Sequence, residues 1–380
     1  MDKFQQLYQA DKQKLYAFLQ KYWIPLTITC LCIIGVIIYY KLLNGRIVRC
    51  ENRLEVYRTN LKLTPLEKCI DIMKGNHKLC DIYIASSAKS YLPCSQYWDY
   101  SSLSAIKHVL LSGARYIELD IYSKNFCENS EPVVCNGDEV GNWHYTTELK
   151  FKDAIDAIAE WGFSNLISNR TDPLFLCLNL HTNFKLKVLD KIASIIDEAF
   201  QHKLLGPKYG YQRTNIGQVP IRKFINKVII LSNKSGVGVS RDAQLFQESK
   251  INELINYSWK QPFMRNLTHL QVKESFEPKE LTEYNKKSLS RVYPDFDGRS
   301  TENYNPRAAW YTGCQFVCLN YFRQDKFMKI NLEKFKGASF ILKPWKLRYH
   351  PQTYREPKKQ DKRVSFKPEK VTTPFYSFTY

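Results

Sequence analysis

The longest uncharged apolar run in the chain is "WIPLTITCLCIIGVIIYY", residues 23–40. In a helix these residues span roughly 27 Å, near the hydrocarbon thickness of a bilayer. Tyr22 and Trp23 stand at one end and Tyr39 and Tyr40 at the other, with Lys21 and Lys41 outside them. That order suits a helix held at both membrane interfaces. A buried core helix would need apolar flanks, and a cleaved signal peptide would not follow the mostly polar stretch 1–22. The pattern predicts an N-terminal tail over 1–22 and a single transmembrane helix over 23–43.

Charged positions at helical spacing continue through 44–77 and predict a juxtamembrane helical stalk. Period-two and period-3.6 segments then alternate. "YIELDIY" (116–122) precedes "LKFKDAIDAIAEWGF" (149–163), and "LFLCLNLH" (174–181) precedes the amphipathic "FKLKVLDKIASIIDEAFQHKL" (184–204). "KVIILSNK" (227–234) is a further short apolar run. Alternation of this kind predicts an α/β fold, a parallel sheet closed into a barrel with helices outside. A barrel takes about 250 residues, which the span allows. Its reacting groups belong at the C-terminal strand ends, where Glu118, Asp120, Asn179, His181, Ser232 and Lys234 fall. The expected order is a first barrel half over 78–235, a linker over 236–265, a second half over 266–345 and a flexible basic tail over 346–380. Nine basic residues against three acidic ones in that tail suit contact with an anionic membrane.

Composition narrows the partners. A formal charge of +19 over 380 residues favours nucleic acid, anionic lipid or acidic protein, and beside an anchor helix it points to lipid rather than nucleic acid. Eleven cysteines, without zinc-type pairs, read as mostly buried reduced thiols. Lys41, Arg46, Arg49, Arg53 and Arg58 after the helix outweigh Lys3, Lys12, Lys14 and Lys21 before it. The excess is small and favours a cytoplasmic C-terminal domain. Asn-x-Ser/Thr sequons at Asn169, Asn233, Asn256 and Asn266 would matter on the opposite side.

"YIASSAKSYL" (83–92), "GARYIELDIY" (113–122), "YNKKSLSRVYPDFDGRSTENYNPRAAWYTGCQFVCLNY" (284–321) and "FILKPWKLR" (340–348) follow one another in order. Together they resemble the phosphoinositide-specific phospholipase C family over about 78–345, some 70% of the chain. The resemblance implies a TIM barrel in two halves, calcium at the site, and attack by the inositol 2-hydroxyl on the phosphodiester. That chemistry needs a base for the hydroxyl proton, neutralisation of phosphoryl charge and an acid for the departing diacylglycerol oxygen. The family uses oxygen ligands around calcium and two histidines.

Carried over by position, the first histidine falls on Ala88 and the neighbouring calcium-binding asparagine on Lys89. An ammonium repels a metal and cannot ligate it while protonated. The carboxylates remain as Glu118 and Asp120, the second histidine falls on Asn136, and the last calcium-binding glutamate on Asn179. Glu118 keeps the position of a catalytic carboxylate; Glu118, Asp120 and Asn179 form a degenerate calcium site. Arg291 and Tyr293 match phosphate-binding and ring-packing residues, and Lys234 matches one of two phosphate-binding lysines, the other being Ser232. Arginine suits phosphate because its fork donates two parallel hydrogen bonds. Two substitutes for the lost groups are open: His144, in the loop after Asn136, for an imidazole, and Lys89 for the metal charge. His181 falls on a histidine taken as structural.

The expectation is a membrane-anchored phospholipase-C-like protein with impaired hydrolysis, binding phosphoinositide headgroups or serving as a scaffold. The alternative is a divergent active enzyme that cleaves phosphatidylinositol 4,5-bisphosphate to diacylglycerol and inositol trisphosphate.

Overall fold

The computed structural model describes residues 2–56, 62–93, 96–97, 99–183, 185–259, 261–295, 302–350, 368 and 370–379. They fall in two compact units, 1–348 and 349–380.

A single α-helix runs over Asp2–Val56. Within it Gln20–Gly45, 26 residues with a mean hydropathy of 2.1, is long and apolar enough to cross a membrane, and none of its apolar window is buried. Its length is about 39 Å, more than the roughly 30 Å of a hydrocarbon core. Pro25 cannot donate within the helix, and the Thr29 hydroxyl fastens the following turn by donating to the Pro25 carbonyl at 2.8 Å.

After residue 62 the chain packs beneath a barrel. Leu63, Leu66 and Ile72 are buried, and the Leu66 amide donates to Asp172 Oδ1 at 2.6 Å. Burial pushes the Asp172 carboxyl up to about 6, although Arg115 opposes the shift. Arg115, itself buried, donates to the carbonyls of Gly162 and Asn169.

Eleven strands build the main sheet: β1 (Ile82–Ser87), β2 (Tyr116–Ser123), β3 (Pro132–Val134), β4 (Leu149–Lys150), β5 (Leu174–His181), β6 (Val228–Ser232), β7 (Tyr257–Ser258), β8 (Met264–Thr268), β9 (Leu289–Tyr293), β10 (Phe316–Leu319) and β11 (Phe340–Leu342). Eight of them lie side by side in the order β7-β6-β5-β2-β1-β10-β9-β8, each neighbouring pair parallel. β11 runs antiparallel to β1 and β3 antiparallel to β2. No pairing joins β7 to β8 among the described residues, so the barrel is nearly closed.

The period-two alternation of β2 divides its side chains between two cores. Ile117, Leu119 and Ile121 pack outward with the helices Leu103–Leu111, Phe151–Gly162 and Leu186–Phe200. Tyr116 joins the second core, with Phe175, Cys177, Leu289, Phe316 and Cys318. Glu118 and Asp120 share Tyr116's face, and Asp120 pairs in register with Asn179 of β5. The fold thus lifts these polar side chains above an apolar floor, at the C-terminal ends of parallel strands.

Nine cysteines are free, and of these Cys80, Cys135, Cys177, Cys314 and Cys318 are buried, as the sequence implied. Asn169 and Asn256 are buried as well. The Asn169 amide is committed to Ser339 and the Asn256 amide to Tyr209, so neither sequon is accessible in the folded barrel.

In the second unit, about half of the expected tail (351–367) lies outside the described residues. Its end forms an antiparallel hairpin, Lys370–Thr372 with Ser377–Thr379, where a flexible segment was expected. Valine, phenylalanine, tyrosine and threonine favour strand conformation there, and the turn is fixed by the Thr373 amide donating to the Tyr376 carbonyl at 2.8 Å.

Candidate functional site

The site lies in a cleft of about 510 Å³ lined by Ala88, Lys89, Leu92, Gln96, Glu118, Arg291, Tyr293, Pro294, Glu302 and Asn320. Two ion pairs organise it. Arg291 Nη2 meets Glu118 Oε1 at 2.6 Å, with the two side chains 5% and 4% exposed. Lys89 Nζ stands 3.9 Å from Asp120 Oδ2.

Arg291 is held on three sides. Its Nη1 donates to Asn266 Oδ1 at 2.7 Å, and its guanidinium carbon lies 5.1 Å from the Trp259 ring centre and 5.0 Å from that of Tyr293. Burial is the largest single influence and works against the charged guanidinium, but Glu118, Tyr116, Cys177 and Cys318 together outweigh it and raise the Arg291 pKa well above the ordinary arginine value. The headgroup-binding role expected of Arg291 is therefore shared with an internal one: its fork is already turned on a carboxylate.

Lys89 follows β1 in a left-handed backbone conformation, φ 41°. That region is costly for a lysine and much easier for asparagine. Its ammonium donates to Asn136 Oδ1 at 2.5 Å and to Gln96 Oε1 at 3.4 Å, while Asn136 Nδ2 donates to the Gln96 carbonyl at 2.6 Å. Lys89 and Asn136, two of the expected site positions, are thus bonded to each other. Burial lowers the Lys89 pKa, and Asp120 and Glu118 push it back up.

The carboxylate oxygens are mostly taken. Asn179 Nδ2 donates to Glu118 Oε1 at 2.8 Å and to Asp120 Oδ1 at 2.6 Å, and the Tyr91 hydroxyl donates to Asp120 Oδ2 at 2.7 Å. Glu118 Oε2 is buried and has no hydrogen-bond partner among the described residues.

Calcium takes six to eight oxygen ligands. Here one carboxylate oxygen is unclaimed, and an ammonium and a guanidinium already answer the two negative charges. Turning the Asn179 amide would present its oxygen, so Asn179 alone does not decide the matter; Lys89 does. No group of three or more metal-type side chains is found among the described residues. The residues present do not fit calcium.

The structure separates other expected site residues. Lys234 lines a second cavity with Glu139, Val140, His181 and Phe246, apart from Arg291 and Tyr293. The loop carrying Glu139 is tied together by hydrogen bonds: Asp138 Oδ1 accepts from the amides of Gly141, Asn142 and Trp143. Gly141 (φ 92°) lies so close to His181 that a Cβ would strike the His181 carbonyl. His181 faces the Glu139 carbonyl through Nδ1 at 3.0 Å and stacks on Tyr122. His144 also meets Tyr122, edge-on, and its Nδ1 pairs with Glu148 at 2.8 Å. It does not line the cleft. Ser232 is buried, its hydroxyl accepting from the Lys234 amide.

Sequence reasoning missed Gln96, Trp259 and Asn266. Gln96 lies in a loop without periodicity, and Trp259 and Asn266 fall at the edges of the expected linker, where no strand signal marked them.

A parallel α/β barrel with a buried acidic and basic cluster at its C-terminal strand ends is a scaffold that hosts many chemistries. The comparisons narrow it. Residues 75–234 match the phosphatidylinositol-specific phospholipase C X domain and residues 238–346 its Y domain. The chain belongs to the phosphatidylinositol-specific phospholipase C family. It is 26% identical to the mouse (Mus musculus) 1-phosphatidylinositol 4,5-bisphosphate phosphodiesterase beta-1 over 346 residues, covering 70% of this chain and 27% of that protein. It is 24% identical to the human (Homo sapiens) inactive phospholipase C-like protein 2, covering 70% and 26%. The chain thus spans roughly a quarter of the length of these relatives. Among solved structures, L. pealei PLC21 superposes with a TM-score of 0.58 at 25% identity, covering 72% of this chain and 38% of that one.

Proposed function

We propose that this chain is a membrane-anchored receptor for phosphoinositide headgroups, without effective phosphodiester hydrolysis and independent of calcium. The observation that carries the reading is Lys89, whose ammonium reaches Asp120 and Asn136 inside an open cleft. It supplies fixed positive charge beside the carboxylates, where the family's chemistry requires a metal.

Hydrolysis is disfavoured by simple chemistry. Ala88 has no titratable group, and the amide of Asn136 neither takes nor gives a proton near neutral pH. Neither residue can protonate a departing diacylglycerol oxygen. Binding has what it needs: Lys89 Nζ for a phosphate oxygen, the Tyr293 face for the inositol ring, and Glu118 Oε2 to accept an inositol hydroxyl. Arg291 holds Glu118 in place for that contact. A relative of comparable similarity that bears the name of an inactive phospholipase C-like protein supports the reading.

The Gln20–Gly45 helix supports anchoring, and the anchor would keep the cleft beside lipid. Buried free thiols, inaccessible sequons at Asn169 and Asn256 and the basic flank after the helix favour a cytoplasmic face for the barrel.

One observation favours the alternative of a divergent hydrolase. Glu118 Oε2, buried and without a donor among the described residues, has a lone pair open for a general-base role. Binding is tested by calorimetry of inositol 1,4,5-trisphosphate with the full chain in detergent, in chelator. The reading predicts binding without calcium, weakened about tenfold or more by Lys89→Met, a loss of ~1.4 kcal/mol. Binding seen only with calcium would contradict it.

A further inference from the structure

The C-terminal hairpin is amphipathic in a way the barrel does not require. Val371 pairs directly with Phe378, so the two share one face, and Tyr376, in the turn just before that strand, lays its ring against Phe378. The Tyr376 and Phe378 rings are stacked, 5.9 Å apart. Lys370, Thr372, Ser377 and Thr379 take the other face, where the Thr372 and Ser377 hydroxyls meet at 3.1 Å. Phe375 sits at the turn, 93% exposed, and Tyr376 is 60% exposed. A two-stranded hairpin is at best marginally stable in water, and large aromatic side chains at its tip add a standing cost of exposure.

We propose that this hairpin is a second membrane contact, lying with Phe375 and Tyr376 in the interface of an anionic bilayer. Charge selects that occupant. The segment 346–380 carries nine lysines and arginines against three acidic residues, so the aromatic tip is delivered by a basic strand of chain. Phenylalanine and tyrosine beside lysine and arginine form the composition that settles at headgroup level, aromatic rings inward and cations at the anionic surface. Pro374 beside Phe375 presets the turn that presents the ring. The inference extends the anchored reading: a helix at one end and an interfacial hairpin at the other would hold the same chain at two points.

The test uses the full chain on vesicles of phosphatidylcholine alone and of phosphatidylcholine with phosphatidylserine. Hydrogen exchange of the amides over 370–379 reads the hairpin, and resistance to alkaline carbonate extraction reads the anchor separately. The expected result is exchange slowed about tenfold or more on phosphatidylserine vesicles, relieved by high salt and by Phe375→Ser with Tyr376→Ser. Equal exchange on both vesicle types would overturn the proposal. So would equal protection in plain detergent, which would place the hairpin against protein. Release of the chain by carbonate would instead overturn the anchor, whatever the hairpin amides report.

Discussion

Arg291 Nη2 lies 2.6 Å from Glu118 Oε1, with both side chains almost wholly buried in the upper part of the barrel. The pair joins β9 of one family domain to β2 of the other. Removing one partner strands a buried charge, and such losses run to about 3–5 kcal/mol. Arg291→Met is therefore expected to lower the stability of the full chain in detergent by that order. Adding Glu118→Gln should restore most of it. A double-mutant cycle on chemical unfolding checks this, with a coupling of about 2 kcal/mol or more expected.

Lys89 combines an unfavourable backbone with an ammonium 3.9 Å from Asp120. Lys89→Asn should relax the left-handed conformation, by about 1 kcal/mol at most, and remove the ammonium from Asp120. Millimolar calcium should then raise the melting temperature of the variant and leave that of the unaltered chain unchanged. Equal shifts in both would show that Lys89 does not exclude the metal.

Imidazoles can be placed at the two positions where the resemblance expects them. Ala88→His with Asn136→His is expected to give at most a trace of phosphoinositide hydrolysis while Lys89 remains, and more once Lys89→Asn is added. Product release from labelled lipid is the readout. Substantial turnover in the double variant would contradict the role given to Lys89.

Much of this was legible from the chain itself. "LFLCLNLH" is β5 to the residue, and "YIELDIY" is β2 less its last position, because short runs in which apolar residues recur at every second position, set between polar segments, leave little choice of element. The carboxylates were placed by alternation alone. The Arg291–Glu118 pair was not visible, since it depends on how distant strands come around the barrel. Nor was the bond between Lys89 and Asn136, which two loops bring together. Lys234 shows the limit from the other side: its position in sequence suits the cleft, but Glu139 and His181 enclose it in a neighbouring cavity.

Lys343 offers a test of the barrel's base. Burial lowers its pKa to about 8, while Cys80, Cys314 and Asp81 oppose the shift, and its Nζ donates to the Asn285 carbonyl at 3.2 Å. Between about pH 8 and its ordinary value near 10.5 the unfolded chain holds a proton that the folded chain lacks. Stability should therefore rise with pH across that window, by about 3 kcal/mol in all, and the penalty is fully present below pH 8. Lys343→Met should flatten the rise, as measured by unfolding at several pH values. An unchanged slope would place its origin elsewhere.

The central claim is a phospholipase C barrel whose metal position is held by its own lysine. Hydrolysis of phosphatidylinositol 4,5-bisphosphate in vesicles by the purified full chain, in millimolar calcium and in chelator beside an Asp120→Ala control, tests it most directly. The account predicts no turnover above the control in either condition. Calcium-dependent turnover abolished by Asp120→Ala would contradict it.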